Sequence, residues 1–198
     1  MMVGKTWRVA GALGLVGLMV VAAVAAELVK PEHKYIGVKA CARMCHRSKS
    51  KGAQLPKWEE GPHSKAWTML GEEKAQAVAK KLGVDDPQKS PKCLRCHAPE
   101  YNVDPAYLKS GFDLKDGVQC ESCHGPGNDY KGMITMKKPK KAIAKGLIIG
   151  DEKTCRGCHN EESPTWDPER YTTKDGKKVG FDYETMWGQI AHYRPKKD

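Results

Sequence analysis

Phenylalanine occurs only twice in 198 residues, and isoleucine and leucine are sparse beyond residue 26. A chain this polar cannot bury a sizeable core from its side chains alone. Acidic residues are also short, at 24 against 34 lysines and arginines, which gives a formal charge of +10. That excess is not spread as a basic stripe interleaved with aromatics, so nucleic acid is excluded as a partner. No cysteine stands outside a closely spaced pair. Unpaired thiols for a lone catalytic nucleophile are therefore absent. The long uncharged run, Val9 to Ala26, follows Lys5 and Arg8 and ends in the small residues Val24-Ala25-Ala26. It reads as a cleavable export signal over 1–26, with a retained membrane anchor as the alternative. Cleavage before Glu27 leaves one domain, 27–198, with a charge of about +8.

What the chain does have is four cysteine pairs, each followed at once by histidine. The clearest is Cys120-Glu121-Ser122-Cys123-His124, extended by Gly125-Pro126-Gly127. Two cysteines three positions apart with a histidine next is the pattern of covalent c-type haem attachment. The thiols add across the two vinyl groups of one porphyrin, and the histidine binds iron from the proximal side. The glycine–proline–glycine turn lets a second group pack close by. Cys93-Leu94-Arg95-Cys96-His97 and Cys155-Arg156-Gly157-Cys158-His159 repeat the device. In Cys41-Ala42-Arg43-Met44-Cys45-His46 three residues separate the cysteines, so a disulfide or a free thiol pair is the competing reading there. Zinc ribbons do not require the histidine after the second cysteine, and export argues against them. Four haem c groups, covalently bound, would also supply the apolar area that the composition lacks, and their propionates would offset part of the positive charge.

Between the pairs the chain is loop-rich. Residues 27–39 form an irregular lead-in containing His33. Lys65 to Leu82 carries an apolar face at helical spacing, interrupted at Gly71 and ended by Gly83, and His63 sits at its start. The helix dipole there keeps an imidazole neutral, which is its ligand form. The run Lys137-Lys138-Pro139-Lys140-Lys141 reads as a solvated loop or a docking site. Asp182 caps a last helix, Tyr183 to His192.

Four proximal histidines, His46, His97, His124 and His159, leave three others: His33, His63 and His192. Four irons with two imidazoles each would need four. One iron must therefore take a thioether from Met133 or Met136, bind a residue of a second chain in a homo-oligomer, or stay open.

The Cys120–Gly127 stretch resembles the tetrahaem cytochrome c-554 family. His63-Ser64-Lys65-Ala66-Trp67, the fourth pair near the end and a terminal His192-Tyr193 are similar too. The resemblance implies closely stacked haems that carry electrons in a periplasm from a redox enzyme towards membrane carriers. It also implies that His192 is the distal ligand of the third haem, that His63 is that of the fourth, and that the iron on His97 is five-coordinate. The family's remaining distal histidine follows the Gly-Pro-Gly turn. This chain has none there and offers Met133, Met136 or, ahead of the first pair, His33.

The expected fold is therefore mainly α with long irregular loops, a multihaem cytochrome c wrapped around a four-haem stack. The expected function is electron transfer between redox proteins, with no catalytic side chain. Two other readings stay open. One is a small reductase of nitric oxide or nitrite at an open haem, and the other is a subunit of a polymeric cytochrome wire.

Overall fold

The computed structural model describes residues 27–42 and 46–192. The expected export segment 1–26, Cys45 and the tail beyond His192 lie outside the described residues. Among those described, the helices are short: α1 (Val38–Cys41), α2 (Gln54–Glu60), α3 (Ala66–Met69), α4 (Glu73–Lys81), α5 (Pro91–His97), α6 (Cys120–His124), α7 (Met133–Met136), α8 (Pro139–Ile143), α9 (Glu152–Arg156) and α10 (Tyr183–Ile190). One two-stranded antiparallel hairpin, β1 (Tyr171–Thr172) with β2 (Lys178–Val179), stands between α9 and α10. The architecture is mainly helical with loops. None of the described helices is long and apolar enough to cross a membrane.

Each described cysteine lies on or just after a short helix, and glycines and prolines delimit these helices. Pro91 opens α5, and a reciprocal cap between Asp151 and Thr154 opens α9. The expected break near Gly71 separates α3 from α4. Asp182 accepts from the Thr185 N–H at 3.2 Å and caps α10 as expected. This helix stops at Ile190, because Ala191 leaves the helical region at ψ 129°. His192 thus follows the helix instead of riding on its face. The basic run is not a plain loop either. Pro139 is the first residue of α8, a position that needs no amide hydrogen.

The lead-in is a strap, not a free arm. Val29 donates to the Asn102 carbonyl, and Asp104 donates back to Val29, both at 2.9 Å. Tyr35 and residues 107–109 repeat that exchange. The strap ends on the third pair. The Glu121 carboxylate accepts from the Ile36 N–H at 3.0 Å, the Gly37 N–H at 2.7 Å and the Gly127 N–H at 2.6 Å. Gln119 accepts from Val38 at 2.9 Å.

Among the described residues the apolar core includes two small clusters, in keeping with the scarcity of large apolar residues. Val38, Ala42 and Leu55 pack with Trp58 and Cys120, between the first and third pairs. Leu70, Leu94 and Ala98 pack with Trp67, Cys93, Tyr101 and Leu114, around the second.

Glu121 is the side chain on which this arrangement turns. Truncation to alanine would leave three backbone donors without their acceptor, so Glu121→Ala is expected to lower stability by about 3 kcal/mol. Lys131→Ala, at an exposed neighbouring position, should stay within about 0.5 kcal/mol. Urea unfolding of the holoprotein measures both.

Candidate haem-binding sites

The described cysteines of the four pairs lie close to one another across long sequence distances. The thiols of Cys41 and Cys120 meet in a hydrogen bond, which brings the first and third sites side by side. Cys96 Sγ lies 4.0 Å from the Cys158 carbonyl oxygen, and Cys158 Sγ lies 3.9 Å from that of Arg95, so the second and fourth sites adjoin. Arg95, inside the second pair, also forms an ion pair with the Glu162 carboxylate and donates to the Glu162 carbonyl at 2.8 Å. This holds the segment after the fourth pair against α5. Gly150, next to the Asp151 cap of α9, lies against Cys123, where an added Cβ would come 3.9 Å from the Cys123 Cβ, so the third and fourth sites adjoin as well. Among the described residues no three histidine, cysteine or acidic side chains cluster as a bare-ion site.

The imidazoles are oriented by backbone carbonyls. Nδ1 of His97 is 2.7 Å from the Ala66 oxygen, and Nδ1 of His124 is 2.9 Å from the Ile148 oxygen. A carbonyl can only accept, so Nδ1 carries the proton in both rings and Nε2 is left free to bind a metal. Burial lowers the pKa of His46, His63 and His159, and a second histidine, or Arg170 for His159, lowers it further. These rings are therefore held in the neutral, ligand form. Phe181 stacks on the His159 ring at 4.8 Å and 15°, with the Arg156 guanidinium 5.4 Å from the Phe181 ring.

Two histidine pairs form across long sequence distances. The rings of His63 and His159 have centroids 6.2 Å apart, and those of His124 and His192 are 5.9 Å apart. Two imidazoles sharing one metal at about 2 Å from each nitrogen place their centroids about 6 Å apart. The residues present therefore fit an iron held between each pair. His63 is fixed there by its backbone. Val118 donates to the His63 carbonyl at 3.0 Å, and Gly117, at φ 74°, passes so close that a Cβ would lie 2.7 Å from that oxygen. Gly125, at φ 73°, allows a similar approach, to the Gly146 carbonyl. The Tyr130 hydroxyl closes this turn by donating to the Gly125 carbonyl at 2.7 Å.

The other proposed distal groups lie elsewhere. Nδ1 of His33 is 2.8 Å from the Asp129 carboxylate, two residues beyond the Gly-Pro-Gly turn, and its ring rests against Gly146. Met133 is 61 % exposed, and Met136 is half-buried.

Sequence reasoning missed the carboxyls beside the third site. Glu100 is 3 % exposed. One of its oxygens accepts from Ser122 Oγ at 2.8 Å, and the other has no protein partner. Burial pushes this carboxyl up to about 7, and the Glu121 charge adds to the shift. Glu121 falls between paired cysteines, where residue type is otherwise free to vary, and Glu100 falls in the stretch after the second pair, so neither position signals its role.

Comparison with known proteins gives a consistent result. The family model described as "Cytochrome c554 and c-prime" matches residues 40–125. Cytochrome c-554 of Nitrosomonas europaea is 26 % identical over 208 aligned residues, which cover 92 % of this chain and 86 % of that protein. No solved structure matches.

The Glu100 shift fixes a pH dependence. Between its ordinary value of 4.5 and about 7 the folded state holds a proton that the unfolded state has lost. Stability from this group is thus complete below pH 4.5 and falls as pH rises to about 7, by up to about 3 kcal/mol. Glu100→Gln should flatten that part of the stability profile and leave the variant the more stable at pH 8. Chemical denaturation across pH checks this.

Proposed function

Because this chain belongs to the cytochrome c554 family, we propose that it is an exported tetrahaem c-type cytochrome that passes electrons between redox partner proteins in a periplasm. Membership already makes it a c-type cytochrome with covalently bound haem c, and an electron carrier. The single observation that supports the finer reading is the spacing of the two histidine pairs, His63 with His159 and His124 with His192, each suited to one iron.

When bound, each haem supplies a one-electron couple whose potential is set by its axial ligands and burial. The chain's own residues do the rest. Cys41, Cys45, Cys93, Cys96, Cys120, Cys123, Cys155 and Cys158 anchor the four groups, and His46, His97, His124 and His159 are the proximal ligands. The Ala66 and Ile148 carbonyls fix the tautomers of His97 and His124. His63 and His192 complete the fourth and third irons. For the first iron, His33 is favoured over Met133 and Met136, because the Asp129 carboxylate holds its Nδ1 proton and leaves Nε2 for the metal.

Low-temperature EPR of the oxidised holoprotein tests the ligand set. His63→Ala and His192→Ala are each expected to convert one low-spin ferric haem to high spin, with intact mass still showing four haems. His33→Ala should do the same and Met136→Ala should not. Spectra unchanged in all four variants would overturn the assignment. A high-spin iron already present in the unsubstituted protein would direct attention to the second site and to nitric oxide binding there.

A further inference from the structure

We propose that the segment from Lys131 to Ile149 is a docking face for an acidic redox protein, with the third site as the point of electron exchange. This deepens the electron-carrier reading and rests on it. Six lysines, Lys131, Lys137, Lys138, Lys140, Lys141 and Lys145, lie in this stretch, and no aspartate or glutamate occurs between residues 131 and 150. All six are exposed, and among the described residues none forms an ion pair. Elsewhere some basic residues are paired locally, as in Lys89 with Asp86 or Arg156 with Glu152, and acidic residues are interspersed with the basic ones.

The fold turns these charges outward. Ala142 is fully buried and anchors α8, so its neighbours Lys140 and Lys141 are directed to solvent. Between the lysines, Met133, Ile134 and Ile143 are 61 %, 69 % and 51 % exposed. A small apolar patch ringed by flexible, strongly hydrated point charges suits a transient partner of opposite sign. The segment then returns to an iron ligand. Ile148 donates to the His124 carbonyl and accepts from His124 Nδ1, both at 2.9 Å. A partner seated on the lysines is thereby brought to the third site by direct backbone contact. The stretch contains no aromatic residue on which bases could stack, which argues against nucleic acid.

The test is stopped-flow reduction of the oxidised holoprotein by a reduced plant-type ferredoxin, used as an acidic probe, across ionic strength. The test variant carries Lys137→Glu, Lys138→Glu, Lys140→Glu and Lys141→Glu. A control carries the same charge change in α4 and the hairpin: Lys80→Glu, Lys81→Glu, Lys174→Glu and Lys177→Glu. The expected result is a bimolecular rate at low salt that falls at least about tenfold in the test variant, with a flattened salt dependence, and at most about threefold in the control. Equal losses in both would assign the effect to net charge and overturn the docking face, as would no loss in either. If the variant instead loses binding to anionic phospholipid vesicles while its ferredoxin rate is unchanged, the face belongs to a membrane surface and the proposal fails. Full haem loading without reduction by dithionite in any protein would overturn the electron-carrier reading itself, a result distinct from all of these.

Discussion

The carboxylate of Glu121 is the constraint on which the rest of the structure depends. It sits between the two cysteines of the third pair and is almost fully buried, at 2 % exposure. Taking a charge out of water is costly unless donors replace the lost hydration, and here three backbone N–H groups do so. Two of them end the N-terminal strap and the third belongs to the Gly-Pro-Gly turn. One side chain thus fixes where the first pair begins, how the chain leaves His124, and the contact between Cys41 and Cys120. The two features hardest to position by apolar packing in so polar a chain are held by one charged group.

Glu100 shows the other outcome of the same physics. Burial pushes both carboxyls up. Three N–H donors counter this at Glu121, whereas Glu100 receives one hydroxyl from Ser122 and has an oxygen with no partner. Glu121 thus has the donors that a carboxylate requires, whereas burial moves Glu100 towards its protonated form. Ser122 serves both arrangements: its hydroxyl donates to Glu100 and accepts from the Gln119 N–H at 3.0 Å, which caps α6. The residues between the paired cysteines therefore carry as much of the local architecture as the cysteines themselves.

What could be read in the sequence follows the range of the interaction. Thiol pairs with an adjacent histidine declare themselves because covalent attachment is local, and the helix breaks at Gly71 and the Asp182 cap are equally local. The partnerships of His63 with His159 and of His124 with His192 join residues far apart in the chain. Spacing carries no trace of them, and only the family resemblance named those residues together. The strap over 27–37 was hidden because its pairing is made by isolated bridges to residues 102–109, without the alternation that marks a strand. The carbonyls of Ala66 and Ile148 are backbone atoms and have no sequence signature at all. The end of α10 at Ile190 depends on one backbone angle at Ala191, so the expected extension to His192 fails by less than a turn.

The contacts among the cysteine pairs also order the sites in space. The first adjoins the third through Cys41 and Cys120, the third adjoins the fourth through Cys123 and Gly150, and the fourth adjoins the second through Cys158 and Cys96. This sequence of neighbours differs from chain order and has the first and second sites at its ends. The lysine segment meets it at the third site, in the interior. The order of neighbours therefore follows from which segments touch in the fold, not from the order of the motifs along the chain.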